Sequence, residues 1–329
     1  MRIETKTLLE QFQVRKTQRQ KEAFWAWLCP LLRENGYEPE IKLAKGLIKS
    51  YNIVVGNPKL ADVIFTAHYD TCAVLPFPNF VTPRNPLWSL LYSFLICQPL
   101  ILCTTWVEVA VTRLSHSALL GLLCGEAPLI FFLLWVLGSG KANKHTANDN
   151  TSGVATLLEI LLTLPEELRD KVCIVFFDNE EKGLFGSGGF AKQHRAVKKN
   201  TLLINFDCVS DGDSLQLYPN DAFEKEEETL VRLEKAFLPC DGKQVEVVRN
   251  FSRYPSDQRK FERGVGVCAL RKSRLFGWYI NRIHTARDTV FDEKNIELLR
   301  TGAIRLLSNT ADLKNSPPQK KESFALRGE

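Results

Sequence analysis

Carboxylates and a histidine follow apolar, strand-like segments of this chain in a pattern that suits divalent cations. His68 and Asp70 close the segment ADVIFTAHYDT, and residues two apart on an extended segment point to the same face. Glu180 and Glu181 come at the end of the apolar run VCIVFFDNEE, where adjacent carboxylates repel each other and need a nearby cation to stay ionised. A surface His-x-Asp pair and two solvated glutamates are the simpler alternatives for these four residues.

Three more candidate residues lie beyond predicted elements. Asp149 occupies the polar loop Ala147–Gly153, where a carboxylate can cap the next helix or bridge two cations. Asp207 ends the strand-like segment TLLINFDCV, so it either caps the sheet edge or holds a metal. His284 precedes the last helix, and Asp288 follows it closely. A lone histidine is more often structural than a ligand, but these residues together favour zinc with nitrogen and oxygen ligands.

The elements that must position these residues alternate between strand and helix. An amphipathic N-terminal helix is followed by strands at 40–45, 50–56 and 61–69. Further predicted elements are strands at 172–180, 201–209 and 265–273 and the helices Thr151–Leu164, Gly183–His194, Ala222–Leu238 and Asn295–Ala311. This order predicts an α/β fold in which a mostly parallel mixed sheet is sandwiched by helices, with ligands at the carboxyl ends of its strands.

A long apolar block interrupts this pattern. Leu87–Val111 and Ser117–Gly138 are each long enough to cross a bilayer, which takes about 20 residues, and a short polar turn separates them. The block is predicted to form an inserted two-helix transmembrane hairpin, and a buried helical pair or an apolar lid is the alternative. Glu108 and Glu126 are its charged residues, and Glu126 is expected to face the partner helix or a polar cavity.

The hairpin divides the chain into parts. Residues 1–84 and 141–312 are predicted to form one catalytic domain, 85–140 the inserted hairpin, and 313–329 a polar flexible tail. Arg84, Lys141 and Lys144 flank the hairpin base, which predicts a two-span membrane protein with its catalytic domain in the cytoplasm. Nine cysteines without metal spacing and an N-terminus unlike a signal peptide agree with a reducing compartment.

The composition and net charge exclude several classes of protein and of binding partner. Hydrophobic residues make up 45% and charged residues 25% of the 329 residues, as in ordinary globular proteins, which excludes a disordered or fibrous chain. The net charge of +5 is too small to predict nucleic-acid binding. The apolar block makes the lipid bilayer an expected partner, and no oligomer signal is present.

The order of these residues, H-x-D, then D, EE, D and H, resembles that of the co-catalytic zinc aminopeptidases of metallopeptidase family M28, which includes aminopeptidase Y and the bacterial leucyl aminopeptidases. The matching segments are TAHYDT, ANDNTSGVATLLE, FFDNEEKGLFGS, NFDCVSDGD and RIHTARDT. The segment YPSDQRKFERGVGVCAL is also similar to the family's Ser-Asp-His-x-x-Phe motif. Gln258 replaces the usual histidine there, which puts one substrate-side contact in doubt.

The resemblance implies two zinc ions in a fold similar to the phosphorylase/hydrolase-like fold of zinc peptidases. His68 and Asp207 would hold one ion and Glu181 and His284 the other, with Asp149 as the bridge. The step from His68 to Asp149 is much longer than in the family, because the apolar block is inserted there.

The resemblance also implies a reaction. Glu180 would act as the general base, and Asp70 would orient His68. The expected activity is removal of N-terminal residues from peptides by a membrane-associated aminopeptidase. The alternatives are a carboxypeptidase-like or other amide hydrolase, a single-zinc enzyme similar to glutaminyl cyclases, and a catalytically inactive receptor-like relative.

Overall fold

A mixed β-sheet is the centre of the computed structural model, which describes residues 1–135, 140–223, 225–249 and 254–315. Within these ranges nine strands form one sheet in the order β1-β2-β4-β3-β5-β8-β6-β7, with β9 paired to β8. The strands are β1 (Pro39–Ala44), β2 (Ser50–Val55), β3 (Val63–His68), β4 (Val172–Phe177), β5 (Leu202–Phe206), β6 (Ser214–Pro219), β7 (Gln244–Val247), β8 (Gly264–Ser273) and β9 (Gly277–Tyr279).

The sheet is less parallel than predicted. Strands β4, β3, β5 and β8 run parallel at its centre, and β6 pairs with β7 in the same way. The pairs β1–β2, β2–β4, β6–β8 and β8–β9 are antiparallel. The prediction of a mixed sheet is confirmed, but parallel pairing predominates only at the centre, where β3 and β4 are buried along their whole length.

Helices cover both faces of the sheet, as predicted. They are α1 (Ile3–Gln11), α2 (Gln18–Glu34), α5 (Gly153–Thr163), α6 (Phe185–Gln193), α7 (Arg195–Asn200), α8 (Glu227–Ala236) and α9 (Glu293–Asn315). Residues of α1, α2, α5, α8 and α9 share one apolar core with the sheet, and α6 and α7 pack on the opposite face. The predicted N-terminal helix is two helices, because Thr17 starts α2 with a capping box that it forms with Gln20.

The apolar block forms two helices, α3 (Pro86–Ser115) and α4 (Ala118–Leu134), joined at His116 and Ser117. They pack closely, since a Cβ added at Gly125 would lie 2.9 Å from the Cβ of Glu108. Helix α3 is long and apolar enough to cross a membrane, with none of its most apolar window buried, whereas α4 has 17 residues. The end of the second predicted span, residues 136–138, lies outside the described residues.

The expectation for Glu126 is wrong. Its side chain is exposed on the outside of α4 instead of facing α3. Glycines occupy the face of α4 that meets α3, at Gly121 and Gly125, and Glu126 is one residue further around the helix. The half-buried carboxylate-bearing residue at this interface is Glu108 of α3.

Candidate metal centre

The parallel centre of the sheet brings the predicted site residues together. His68 is the last residue of β3, Asp207 directly follows β5, and Glu180 and Glu181 lie in the turn after β4. Because β4, β3 and β5 are adjacent and parallel, their carboxyl ends meet at one edge.

One group of possible ligands surrounds His68. Its Nε2 lies 3.4 Å from Asp149 Oδ1 and 3.5 Å from Asp207 Oδ1. All three side chains are buried, and their donor atoms lie within 4.8 Å of one another.

A second group surrounds His284. Its side chain is 19% exposed, which is the largest exposed fraction among the five possible metal ligands. Its Nε2 lies 3.0 Å from Asp149 Oδ2 and 3.2 Å from Glu181 Oε2. Asp149 therefore offers one oxygen to each group, so that the two groups meet at a single carboxylate.

These separations suit zinc. With Zn–N and Zn–O bonds of about 2.0–2.1 Å, neighbouring ligands in a tetrahedral site lie about 3.3 Å apart. Asp207 Oδ1 and Glu181 Oε1 are buried and lack a hydrogen-bond partner among the described residues. A buried carboxylate oxygen without a donor is costly unless a cation binds it, so the donor set fits metal ions at both groups.

The electrostatics agree with a cation site. Burial opposes a charge on His68, but the neighbouring carboxylates of Asp149 and Asp207 raise its pKa well above the ordinary value. Burial also disfavours the charged form of His284, yet the charges of Glu181 and Asp149 raise its pKa to about 9. The pKa of Glu181 rises to about 8 because of burial, against the attraction of His284. The raised pKa values of His68, His284 and Glu181 favour bound protons at these three side chains, which a divalent cation would replace.

Asp70 holds the glutamate pair in place. Its carboxylate accepts hydrogen bonds from the backbone N–H of Glu180 at 3.0 Å and of Glu181 at 3.3 Å. His68 Nδ1 lies 3.1 Å from the Asp70 backbone oxygen and 3.6 Å from its carboxylate. Asp70 therefore contacts His68 chiefly through its backbone and also fixes the turn after β4.

The loop before α5 places Asp149 between the two groups. The carboxylate of Asp288 accepts hydrogen bonds from the backbone N–H of Asn148 at 2.8 Å and of Asp149 at 3.0 Å. Asn150, not Asp149, accepts the hydrogen bond from Gly153 N–H at the start of α5, at 3.0 Å. The Asp149 side chain is therefore not used as a helix cap.

Sequence reasoning missed two neighbours of the site. Arg15, in the segment between α1 and α2, is fully buried and donates hydrogen bonds to the backbone oxygen of Tyr69 and to Thr151. Burial lowers the pKa of Arg15 to about 9. Cys72 Sγ lies within 4.8 Å of the ligand atoms of Glu181 and His284, although its apolar surroundings in sequence suggested a small hydrophobic residue. Neither residue belongs to a spacing pattern that could have revealed it.

Gln258 lies beneath the site. It is buried, donates a hydrogen bond from Nε2 to the Tyr254 backbone oxygen at 2.6 Å, and sits where a side chain at Gly266 would collide. The cavity beside the ligands is lined instead by Asp70, Cys72, Glu181, His284 and the two cations Lys16 and Lys182, among others. Substrate at this cavity would therefore meet lysines and not Gln258.

The fold and the donor set together define an α/β protein with a site that suits zinc. The family model for peptidase family M28 matches residues 136–307, which is more than half of the chain and includes four of the five possible ligands. The chain belongs to peptidase family M28. A search of curated proteins finds no match.

Solved structures share this fold at low sequence identity. The LapA aminopeptidase of Legionella pneumophila matches with a TM-score of 0.54 and 14% identity, over 94% of this chain and 68% of that one. A glutaminyl cyclase of Porphyromonas gingivalis matches with a TM-score of 0.56 and 15% identity, over 93% and 97%. A Zn-dependent exopeptidase of Parabacteroides distasonis matches with a TM-score of 0.53 and 14% identity, over 93% and 95%. These similarities support the fold, and the family supports zinc as the metal.

Proposed function

We propose that this protein is a membrane-anchored zinc aminopeptidase that removes N-terminal residues from peptides with two metal ions. The observation that carries the proposal is Asp149, whose two oxygens face two separate histidines. His68 and Asp207 would hold one ion, and Glu181 and His284 the other. Bound zinc would polarise the scissile carbonyl and lower the pKa of an attacking water.

Glu180 is proposed as the general base. It follows β4 beside the ligands, and burial raises its pKa well above the ordinary value for a glutamate, which is the direction that favours accepting a proton. Its carboxylate would accept the proton of the attacking water and pass it to the leaving amine. The hydrogen bond from its backbone N–H to Asp70 holds it at the cavity.

The retained ligands favour an active metalloenzyme over an inactive receptor-like protein. All five possible ligands and Glu180 are present in this chain, whereas an inactive receptor-like protein has no need of them. A cyclase similar to the Porphyromonas gingivalis neighbour is a second candidate, because that enzyme shares the fold over 93% of this chain. A carboxypeptidase-like reaction would use the same residues on the opposite end of a peptide.

A substrate panel tests the proposal. Aminoacyl fluorogenic substrates, N-blocked peptides and peptides beginning with glutamine are assayed with and without a chelator, and zinc is counted per chain. We expect cleavage only of substrates with a free N-terminus, loss of activity with chelator, and two zinc ions. Cyclisation of the glutamine peptides with one zinc ion would support the cyclase, and release of C-terminal residues would support the carboxypeptidase.

The membrane part of the proposal depends on α3. The described residues include one helix that is long and apolar enough to cross a bilayer, and its surface is exposed. Helix α4 packs on it and leads the chain back, since Ala73 and Ala142 form a bridge where the hairpin joins the domain. We propose that both helices enter the membrane from the cytoplasmic side.

A further inference from the structure

The turn between β8 and β9 packs against the beginning of α3. The ring of Phe276 in this turn lies 5.4 Å from that of Trp88 and 5.2 Å from that of Phe80. The ring of Phe80 in turn lies 5.1 Å from that of Tyr92, which is one helical turn after Trp88. The turn is therefore fixed at the end of α3 where that helix leaves the catalytic domain.

The tip of this turn exposes an apolar side chain directly after two cations. Leu275 is 63% exposed, and Lys272 and Arg274, which precede it in the chain, are exposed as well. The Lys272 Nζ lies 5.0 Å from the centre of the Trp278 ring. Within the part of the chain that the structure describes, neither Lys272 nor Arg274 forms an ion pair, so both charges are available to an external anion.

We propose that this turn, Lys272–Trp278, is a second membrane contact, which enters the headgroup region of a bilayer that contains anionic phospholipid. The proposal rests on the proposed membrane insertion of α3. Tryptophan and tyrosine are enriched at the membrane–water interface, and lysine and arginine at that depth are attracted to anionic headgroups. An exposed leucine that follows two exposed cations matches this boundary, where apolar and charged side chains both find partners.

Packing at the base of α3 accounts for only some of the side chains in the turn. The rings of Phe276, Phe80 and Trp88 are used in that packing. Leu275 and Arg274 are exposed and take no part in these ring contacts, so they are available for a membrane contact.

The contact would set the position of the metal centre relative to the bilayer. Strand β9 leads through Ile280, which bridges Val81, to His284, whose backbone oxygen accepts a hydrogen bond from Leu75 N–H at 2.8 Å. Eight residues separate Phe276 from His284, and an extended chain of that length spans at most about 29 Å. The cavity would therefore open within that distance of the headgroups and receive substrates that lie at the membrane surface.

Hydrogen exchange of the full chain tests the contact. The protein is placed in detergent, in phosphatidylcholine vesicles and in vesicles with added phosphatidylglycerol, and exchange is measured at the amides of residues 272–278. We expect exchange to slow at least tenfold in the anionic vesicles relative to detergent. The triple variant Lys272→Glu/Arg274→Glu/Leu275→Asp should lose this protection.

A matched pair of variants controls for added charge. Arg274→Glu/Leu275→Asp and Lys59→Glu/Leu60→Asp add the same negative charge, and the second alters an exposed Lys-Leu pair at the opposite edge of the sheet, before β3. Only the first should lose the protection of residues 272–278. Leu275→Asp alone serves if the triple variant fails to fold, as judged by exchange in β3 and β5. Equal exchange in vesicles and detergent, or equal protection in both kinds of vesicle, would overturn the proposed anionic contact.

Carbonate extraction separates this inference from the proposed function. A protein that resists carbonate but shows no protection of the turn is anchored by its helices alone, and only the inference fails. A protein that carbonate removes from the vesicles lacks the membrane insertion on which both depend.

Discussion

At the scale of single residues, Glu180 and Glu181 are adjacent but are expected to behave differently. We expect Glu180→Gln to keep its zinc and to lose turnover by about 100-fold or more, since general acid–base catalysis typically contributes 10²–10⁴-fold. Zinc content and kcat are measured on the same preparation. Glu167→Gln, an exposed glutamate before β4, is the control, and near-normal turnover of Glu180→Gln would exclude it as the base.

Asp149 is expected to serve both ions. Its two oxygens lie 3.4 Å from His68 Nε2 and 3.0 Å from His284 Nε2, so Asp149→Ala removes a ligand from each group. We expect zinc content to fall below one ion per chain and activity to be lost with it. Elemental analysis that finds the full zinc content would contradict a bridging role.

Zinc binding should weaken as the pH falls. The neighbouring acids raise the pKa of His284 to about 9, and burial raises that of Glu181 to about 8. Zinc binds the deprotonated forms, so each ion must displace protons below these values, and the apparent Kd should decrease as the pH rises from 6 to 9. Titration with a competing chelator at several pH values measures this. A Kd that stays constant over that range would show that these two residues are not ligands.

At the scale of elements, the sequence predicted the strands that carry the ligands better than those at the edges. Strands β3, β4 and β5 are continuous apolar runs with a polar residue at the end, because they are buried on both faces of the sheet. Strands β6, β7 and β9 were missed, since SLQLYP is interrupted by Gln216 and the other two are only four and three residues long. Their pairing is set by long-range contacts that local patterns do not encode.

The contacts between elements explain which residues of the site could not be predicted from the sequence. The order of ligands along the chain could be found because each follows an element that the pattern predicts. The roles of Arg15 and of Asp288, which the sequence showed only as a neighbour of His284, could not, since their partners are backbone groups of Tyr69 and of the loop that contains Asp149, which are distant in sequence.

Arg15 connects the segment between α1 and α2, by a hydrogen bond, to Tyr69 directly after β3. It is fully buried, and Arg15→Leu would leave the Tyr69 carbonyl and Thr151 without their donor. We expect the free energy of unfolding to fall by roughly 1–3 kcal/mol, the usual cost of leaving a buried polar group unsatisfied. Chemical denaturation of Arg15→Leu and of the exposed control Arg19→Leu measures the difference, and equal midpoints would show that Arg15 is dispensable.

At the scale of the whole molecule, the insertion places an apolar hairpin beside a metal centre. Residues 72–74 pair with 141–143 where the hairpin joins the domain, and Cys72 lies beside Glu181 and His284. The hairpin therefore leaves and re-enters the domain next to the cavity, so that membrane insertion would orient the active site as well as anchor it.

The hairpin is expected to keep the protein in membranes after a carbonate wash. Helix α3 has 30 residues and spans about 45 Å at 1.5 Å per residue, more than the bilayer core of about 30 Å. Helix α4 has 17 residues, about 26 Å, and exposes Glu126, which costs about 2.5–3.5 kcal/mol near the middle of a span. Extraction by carbonate would identify the hairpin as a soluble lid.

A substitution at Glu126 gives a more specific test of membrane insertion. Because Glu126 faces away from α3, Glu126→Leu should increase the fraction of protein that resists carbonate, whereas Glu167→Leu, on the catalytic domain, should not change it. A labelling scan at Arg113, near the tip, and Lys144, near the base, then gives the topology. For a catalytic domain in the cytoplasm, Lys144 should be accessible from the cytoplasmic side and Arg113 from the opposite side. Labelling of both positions from the cytoplasm would mean that the hairpin enters the membrane without crossing it.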